Sequence, residues 1–280
     1  MNRSSVLWLL AFVLTIASAL YQRMTGPTYP SSGKAVVGGT GVSYRLLRSS
    51  DTGEDAPVMV KVDGEGIAGV VEWKRHNTSD AWTSVLLKDS VHTLVASLPS
   101  QPMAGKLDYR VTVHKGGESV VLPKEGVMVI RFKGPVPLAI LLVHILAMFS
   151  AMMLSTRTGL EFFNPEPRLQ PLILWTLAVL AVGGLVLGPV VQKYAFGAYW
   201  TGWPFGHDLT DNKTFLALIG WVAAWFALSK AKKPTAWALG ACILMFIVYM
   251  IPHSVLGSEL DYNAQDRASS HMPASQHPGE

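Results

Sequence analysis

Val136-Pro137-Leu138-Ala139-Ile140-Leu141-Leu142-Val143-His144-Ile145-Leu146-Ala147-Met148-Phe149-Ser150-Ala151-Met152-Met153-Leu154 contains no Asp, Glu, Lys or Arg. A helix rises about 1.5 Å per residue and needs roughly 17–25 residues to cross a hydrocarbon core of about 30 Å, so this run is long enough to span a membrane. Four further stretches are equally free of charge: Val6–Leu20, Leu172–Val191, Phe215–Leu228 and Ala236–Ile251. The shorter ones reach crossing length with their flanking residues. Over the whole chain 50% of residues are hydrophobic and 15% charged, where a soluble domain carries about a quarter charged. That excess calls for lipid as a second solvent, and the blocks predict five membrane spans.

Orientation follows from the positive charge of the short loops. Arg157 and Arg168 follow the second block, Lys230, Lys232 and Lys233 follow the fourth, and Arg3 precedes the first. These are expected in the cytoplasm, which leaves 21–135, the loop 192–213 and the chain from His253 onward outside. Together with the compact size, this pattern points to the inner membrane of a bacterium. The first block also fits a cleavable signal peptide, with Arg3, an apolar run and Ala17-Ser18-Ala19. An uncleaved anchor over 1–22 is the reading preferred here, and either choice leaves the remaining sidedness unchanged. The single cysteine, Cys242, lies in the last block, so no disulfide framework or thiolate cage is expected. The net charge of +4 is mostly accounted for by the cytoplasmic loops, and no nucleic-acid partner is read from it.

Between the first two blocks, 35–134 alternates with the period of β-strands: Val42–Leu47, Val58–Val62, Gly69–Trp73, Thr83–Leu87, Thr93–Ala96, Leu107–Val113 and Gly126–Phe132. Turn-forming stretches such as Asp63-Gly64-Glu65-Gly66 and Lys115-Gly116-Gly117 separate them. Short strands with frequent turns over about a hundred residues describe a β-sandwich. The expected fold is therefore an α+β membrane protein: an N-terminal anchor helix, an extracytoplasmic antiparallel β-sandwich, a four-helix transmembrane bundle over 135–256, and a flexible tail over 257–280. That tail is rich in Ser, Pro, Gln and Gly and carries His271 and His277.

The spacing Val71-Glu72-Trp73-Lys74, Ala81-Trp82, Ala96-Ser97-Leu98-Pro99 and Leu107-Asp108-Tyr109-Arg110-Val111-Thr112-Val113 resembles fibronectin type III and related immunoglobulin-like modules. The resemblance covers about a third of the chain, and it departs at the N-terminal end, where the usual proline-rich first strand is represented only by Pro27 and Pro30. It implies a module that binds or spaces other proteins, with Trp73 and Tyr109 in its core. His76, His92 and His114 read as surface residues.

The loop 192–213 is too aromatic for a free aqueous loop and too broken by glycine and proline for a span. Tyr199, Trp200, Trp203 and Phe205 suit the water–lipid boundary. His207, Asp208, Asp211 and Asn212 follow closely, and Asp211 or Asn212 is expected to cap the next helix. Three parts of the chain bring histidine to the outer half of the membrane: His144, about eight residues or on the order of 12 Å into the second span, His207 in the loop, and His253 after Pro252. An intramembrane ionisable residue marks a pathway, a buried pair or a ligand. His144, His207 and His253, with Asp208, are thus candidate ligands for haem b or a transition metal. For each histidine a plainer role stands beside ligation: for His144 a neutral imidazole bonded to a neighbouring helix, for His207 a loop residue, for His253 a solvated interfacial residue. Gly197-Ala198-Tyr199-Trp200, Asp208 and Phe215-Leu216-Ala217-Leu218-Ile219-Gly220-Trp221 faintly resemble the tryptophan-rich outer loop of cytochrome c assembly proteins, which implies haem handling. The match has an insertion before the acid and lacks that family's number of spans.

Gly183-Gly184 and Gly240-Ala241 read as small residues for close helix packing, and the uncharged spans argue against an ion pathway. Two functions follow as expectations. The first is a non-catalytic accessory or anchoring subunit whose partners are the lipid bilayer and other membrane or periplasmic proteins. The alternative is a haem- or metal-binding subunit of a redox complex.

Overall fold

The computed structural model describes residues 2–124, 126–252 and 257–270, and the chain divides into two compact units. One comprises Pro30–Lys133 with the segment from Glu259 onward, the other the N-terminus to Tyr29 with Gly134–Ser258.

Among the described residues of the first unit eleven strands form two sheets: β1 (Ser31–Val37), β2 (Thr40–Leu46), β3 (Ser49–Asp51), β4 (Ala56–Val62), β5 (Ala68–Arg75), β6 (Thr83–Leu86), β7 (Lys88–Asp89), β8 (Thr93–Leu98), β9 (Lys106–Lys115), β10 (Glu118–Leu122) and β11 (Met128–Lys133). The sheet orders are β1-β2-β4-β8-β7 and β3-β11-β9-β5-β6, with β10 paired to β9. Strict alternation explains the two layers. Along β4, Ala56, Val58, Val60 and Val62 turn inward while Pro57, Met59 and Lys61 turn out, and Leu107, Tyr109, Val111 and Val113 do the same on β9. The hairpin between β9 and β10 turns through Gly116 and Gly117 at φ of 59° and 86°, a pair of left-handed positions that other residues adopt only with strain.

All seven strands read from the sequence are present. Sequence reading passes over β1, because Ser31-Ser32-Gly33-Lys34 carries little strand propensity. Its place is set by Ala35 and Val37, which reach the core. The sandwich is also not wholly antiparallel, since β3 runs parallel to β11 with Ser49 opposite Arg131.

The segment read as a flexible tail contains a helix, Tyr262–Ser270. Side-chain anchoring explains what composition does not. The Tyr262 hydroxyl accepts from Lys106 N–H (3.0 Å) and donates to Gln101 Oε1 (3.0 Å), Glu259 pairs with Lys106 and accepts from Asn77, and Asp266 meets Arg75 at 2.8 Å. His271 and His277 lie outside the described residues. Hydrogen bonding to Arg75 holds the Asp266 carboxyl below its ordinary value, and Glu259 is likewise lowered, its bonds to Lys106 and Asn77 outweighing burial. A lowered folded-state value means stability present above the unfolded value and lost as pH falls through the folded one. Protection of 259–270 from amide exchange should thus persist at pH 6 and fall once pH drops below about 4; unchanged protection at pH 3 would show that packing alone holds the segment.

In the second unit the helices are α1 (Arg3–Thr25), α2 (Leu138–Gly159, tightening into a turn over Leu160–Phe163), α3 (Leu169–Leu180), α4 (Gly188–Phe196), α5 (Leu209–Lys230) and α6 (Pro234–Met250). A wide turn, Ala181–Leu187, joins α3 to α4 in one helical run. Among the described residues four segments are long and apolar enough to cross a membrane: Arg3–Thr25, Leu138–Phe163, Leu169–Phe196 and Leu209–Lys230. They are compatible with a multi-pass membrane protein. The fifth expected span, α6, is apolar but has 17 residues, at the lower limit for crossing.

Small residues bring these helices together. Trp221 is fully buried, its indole donating to Met245 Sδ, among Ala217, Ala224, Ala238 and Ala241. A Cβ on Gly183 would stand 2.9 Å from Met148 Sδ and 3.0 Å from Ala147 Cβ, so this glycine serves close approach as expected. Gly240 differs, for nothing lies within 4 Å of where its Cβ would be.

Candidate functional site

Asp208, rather than Asp211 or Asn212, caps α5: its side chain accepts from Thr210 N–H at 2.8 Å. Its second oxygen accepts from Ser258 N–H (2.8 Å) and Ser258 Oγ (3.0 Å), so the carboxylate is fully engaged in holding chain segments. Asp211, one turn in, reaches back to the aromatic loop and accepts from the amides of Thr201 (2.7 Å) and Gly202 (3.0 Å) and from Gln192 Nε2 (3.2 Å). Asn212 accepts from Trp203 N–H at 2.7 Å. Lys213, also buried, donates to Ile251 O at 2.7 Å. With the backbone pinned this way, Tyr199, Trp203 and Phe205 are exposed, at 60%, 64% and 83%, and Trp203 stacks on Phe215. Trp200 is half-buried, its indole donating to Trp203 O.

Among the described residues, His144, His207 and Asp208 do not form a shared centre. His207 is exposed, and His253 lies outside the described residues. Among the described residues no group of three His, Cys, Asp or Glu side chains is placed to hold a metal ion. In the sandwich His76 pairs with Asp108 at 2.6 Å.

His144 has the most specific surroundings. The wide turn shifts the local bonding so that Gly188 N–H reaches Gly183 O, five residues back, a distortion that often accompanies functional sites. The same carbonyl receives Nδ1 of His144 at 3.0 Å. A carbonyl only accepts, so Nδ1 carries the hydrogen, and in the neutral form of the ring Nε2 is an acceptor. Beside it lies a cavity of about 330 Å³ between α1, α2 and α6, lined by Thr15, Ser18 and Gln22 together with Ile145, Phe149 and Tyr249 among others. Gln22 is held there by its bond to Tyr249 O at 2.7 Å. Sequence reading centred on histidine misses these partners, although Thr15, Ser18 and Gln22 recur at intervals of three and four in an otherwise apolar helix, which marks one polar stripe.

A second feature was missed. Arg157, counted as a loop residue from the sequence, lies within α2, and it is buried with Glu161, to which it donates.

Comparison with protein-family models, with curated proteins and with solved structures finds no match for this chain.

Proposed function

We propose that the chain is a non-catalytic accessory or anchoring subunit of a protein complex in the bacterial inner membrane, with its β-sandwich on the outer face engaging another protein. The observation that carries this reading is the outward surface of β6, β5 and β9. Trp82 lies beneath two cations, Arg110 at 4.9 Å and Lys74 at 5.7 Å, and Arg110 is fixed by Glu72 at 2.7 Å. Aromatic and arginine side chains held in place are the usual anchors of protein interfaces. At the sheet's edge, Thr83–Leu86 pairs on one side only, and Leu86 is 77% exposed. No proline or lysine guards this edge, so it is open to an added strand.

Within this reading the sandwich belongs to the fibronectin type III or immunoglobulin-like kind. Support comes from the buried Tyr109, whose hydroxyl donates to Leu47 O at 2.6 Å and so ties two strands' ends together, and from Trp73 packed against the core. Positive charge at Arg168, Lys230, Lys232 and Lys233 supports the sidedness. For the haem or metal alternative His144 is the most enclosed of the described candidates, Asp208 being engaged in hydrogen bonds and His207 exposed.

A photoreactive residue placed at Leu86 should give a discrete adduct in cells, whereas one at Met59, 52% exposed on the other sheet, should give none. A lone monomer after solubilisation, with no adduct at either position, would remove the reading. A haem band or stoichiometric iron or copper in that preparation would favour the alternative.

A further inference from the structure

We propose that the cavity between α1, α2 and α6 binds an uncharged membrane lipid whose head bears a hydroxyl, and that this hydroxyl donates to Nε2 of His144. The inference is independent of what the sandwich engages.

The lining decides the chemistry. Most of its polar donors are already spent on the protein: His144 Nδ1 on Gly183 O, Thr15 Oγ1 on Ala11 O, Ser18 Oγ on Thr15 O, one N–H of Gln22 Nε2 on Tyr249 O, and the Tyr249 hydroxyl on Met148 O. What the lining residues keep to offer is mainly acceptor capacity, on Nε2 of His144, Oε1 of Gln22 and the hydroxyl lone pairs, beside the second N–H of Gln22. Among the described residues Nε2 has no hydrogen-bond partner. His144 lines the cavity, and an acceptor that opens onto mostly apolar walls favours a ligand that brings a donor.

Charge narrows the class further. No Lys, Arg, Asp or Glu lines this cavity, so an ionised phosphate head would be desolvated there without a counter-charge. The remaining wall, Leu141, Ile145, Met148, Phe149, Met152 and Val191, is apolar. A neighbouring hollow of about 430 Å³ shares Ala19, Gln22, Ile145 and Phe149 with the first; Ile16 and Leu20 give it an apolar wall along α1 for a tail, and its one charged residue, Arg23, is engaged over the Tyr29 ring. Ile145 and Phe149 are each 39% exposed at its edge, which leaves lateral entry from lipid open. A polar head set beneath apolar walls, with a tail running out between helices, is the shape of a quinol or a diacylglycerol.

The test uses the full chain in detergent, titrated separately with a short-chain ubiquinol, with dioctanoylglycerol, with dioctanoyl phosphatidylglycerol and with the dimethyl ether of the quinol, binding being read by native mass spectrometry. Saturable binding of the quinol or of the diacylglycerol is expected, and whichever binds identifies the source. Removing the donor, as in the dimethyl ether, should weaken quinol binding at least about tenfold, since a site built around a hydroxyl rejects the analogue lacking it. His144→Phe, which keeps bulk and removes the acceptor, should have the same effect while leaving the melting temperature near that of the parent. If that variant does not fold, Ser18→Leu, which crowds the cavity from α1, should abolish binding. Equal binding of the ether, preferred binding of the phospholipid, or no saturable binding of any hydroxyl-headed lipid would overturn the proposal.

Discussion

Replacing Glu161 with leucine is expected to destabilise the helical unit by about 3–5 kcal/mol, the usual result of removing one partner from a buried ion pair. Glu161 is 0% exposed and Arg157 5%. Besides Arg157, the carboxylate accepts from Asn164 Nδ2 at 2.9 Å and from Arg168 N–H at 2.8 Å, so one side chain closes the turn that follows α2. Its loss leaves the guanidinium buried against the Trp8 ring, 5.5 Å away, with no carboxylate beside it. Thermal unfolding in detergent should show a fall on the order of 10 °C. The double variant Glu161→Leu with Arg157→Met should recover more than half of the loss, since an apolar pair of similar volume needs no desolvated charge. A double variant no more stable than the single one would mean that Asn164 and Arg168, not the ion pair, depend on Glu161.

That pair shows where sequence reading stops. Charge-free blocks identify the helical cores because lipid tolerates few alternatives, and alternation identifies the seven main strands because one face of each must be buried. The ends of elements obey different rules. Arg157 lies just past an apolar block and beside Thr158-Gly159, which looks like a helix end, yet the carboxylate four residues later lets α2 continue and buries both charges. β1 and the helix Tyr262–Ser270 escape for a related reason: their own composition is weak, and they are held by Ala35 and Val37 in one case and by Tyr262, Glu259 and Asp266 in the other. The wide turn after α3 is the clearest example of information absent from local pattern. Gly183-Gly184 reads as a packing motif, which it is, and the acceptor it supplies to His144 emerges only when another helix is placed beside it.

The aromatic loop carries the second large effect. Asp211→Ala removes the acceptor of two loop amides and of Gln192, and at about 1–3 kcal/mol for each donor left unmatched the loop should lose at least about 3 kcal/mol of local stability. Amide exchange at Thr201 and Gly202 would then accelerate by roughly a hundredfold or more, since about 1.4 kcal/mol corresponds to a factor of ten. Asn212→Ala, which frees only the Trp203 amide, should raise exchange by a smaller factor confined to that residue. Asp211→Asn keeps one carbonyl oxygen and should fall between the two. The ordering of these three variants separates two ways of holding the loop. If insertion of Tyr199, Trp203 and Phe205 into lipid were what fixed it, all three would behave alike and exchange would depend on the bilayer instead. The expected ordering requires the backbone to be pinned from within by carboxylate and amide, which leaves the exposed rings free to meet lipid.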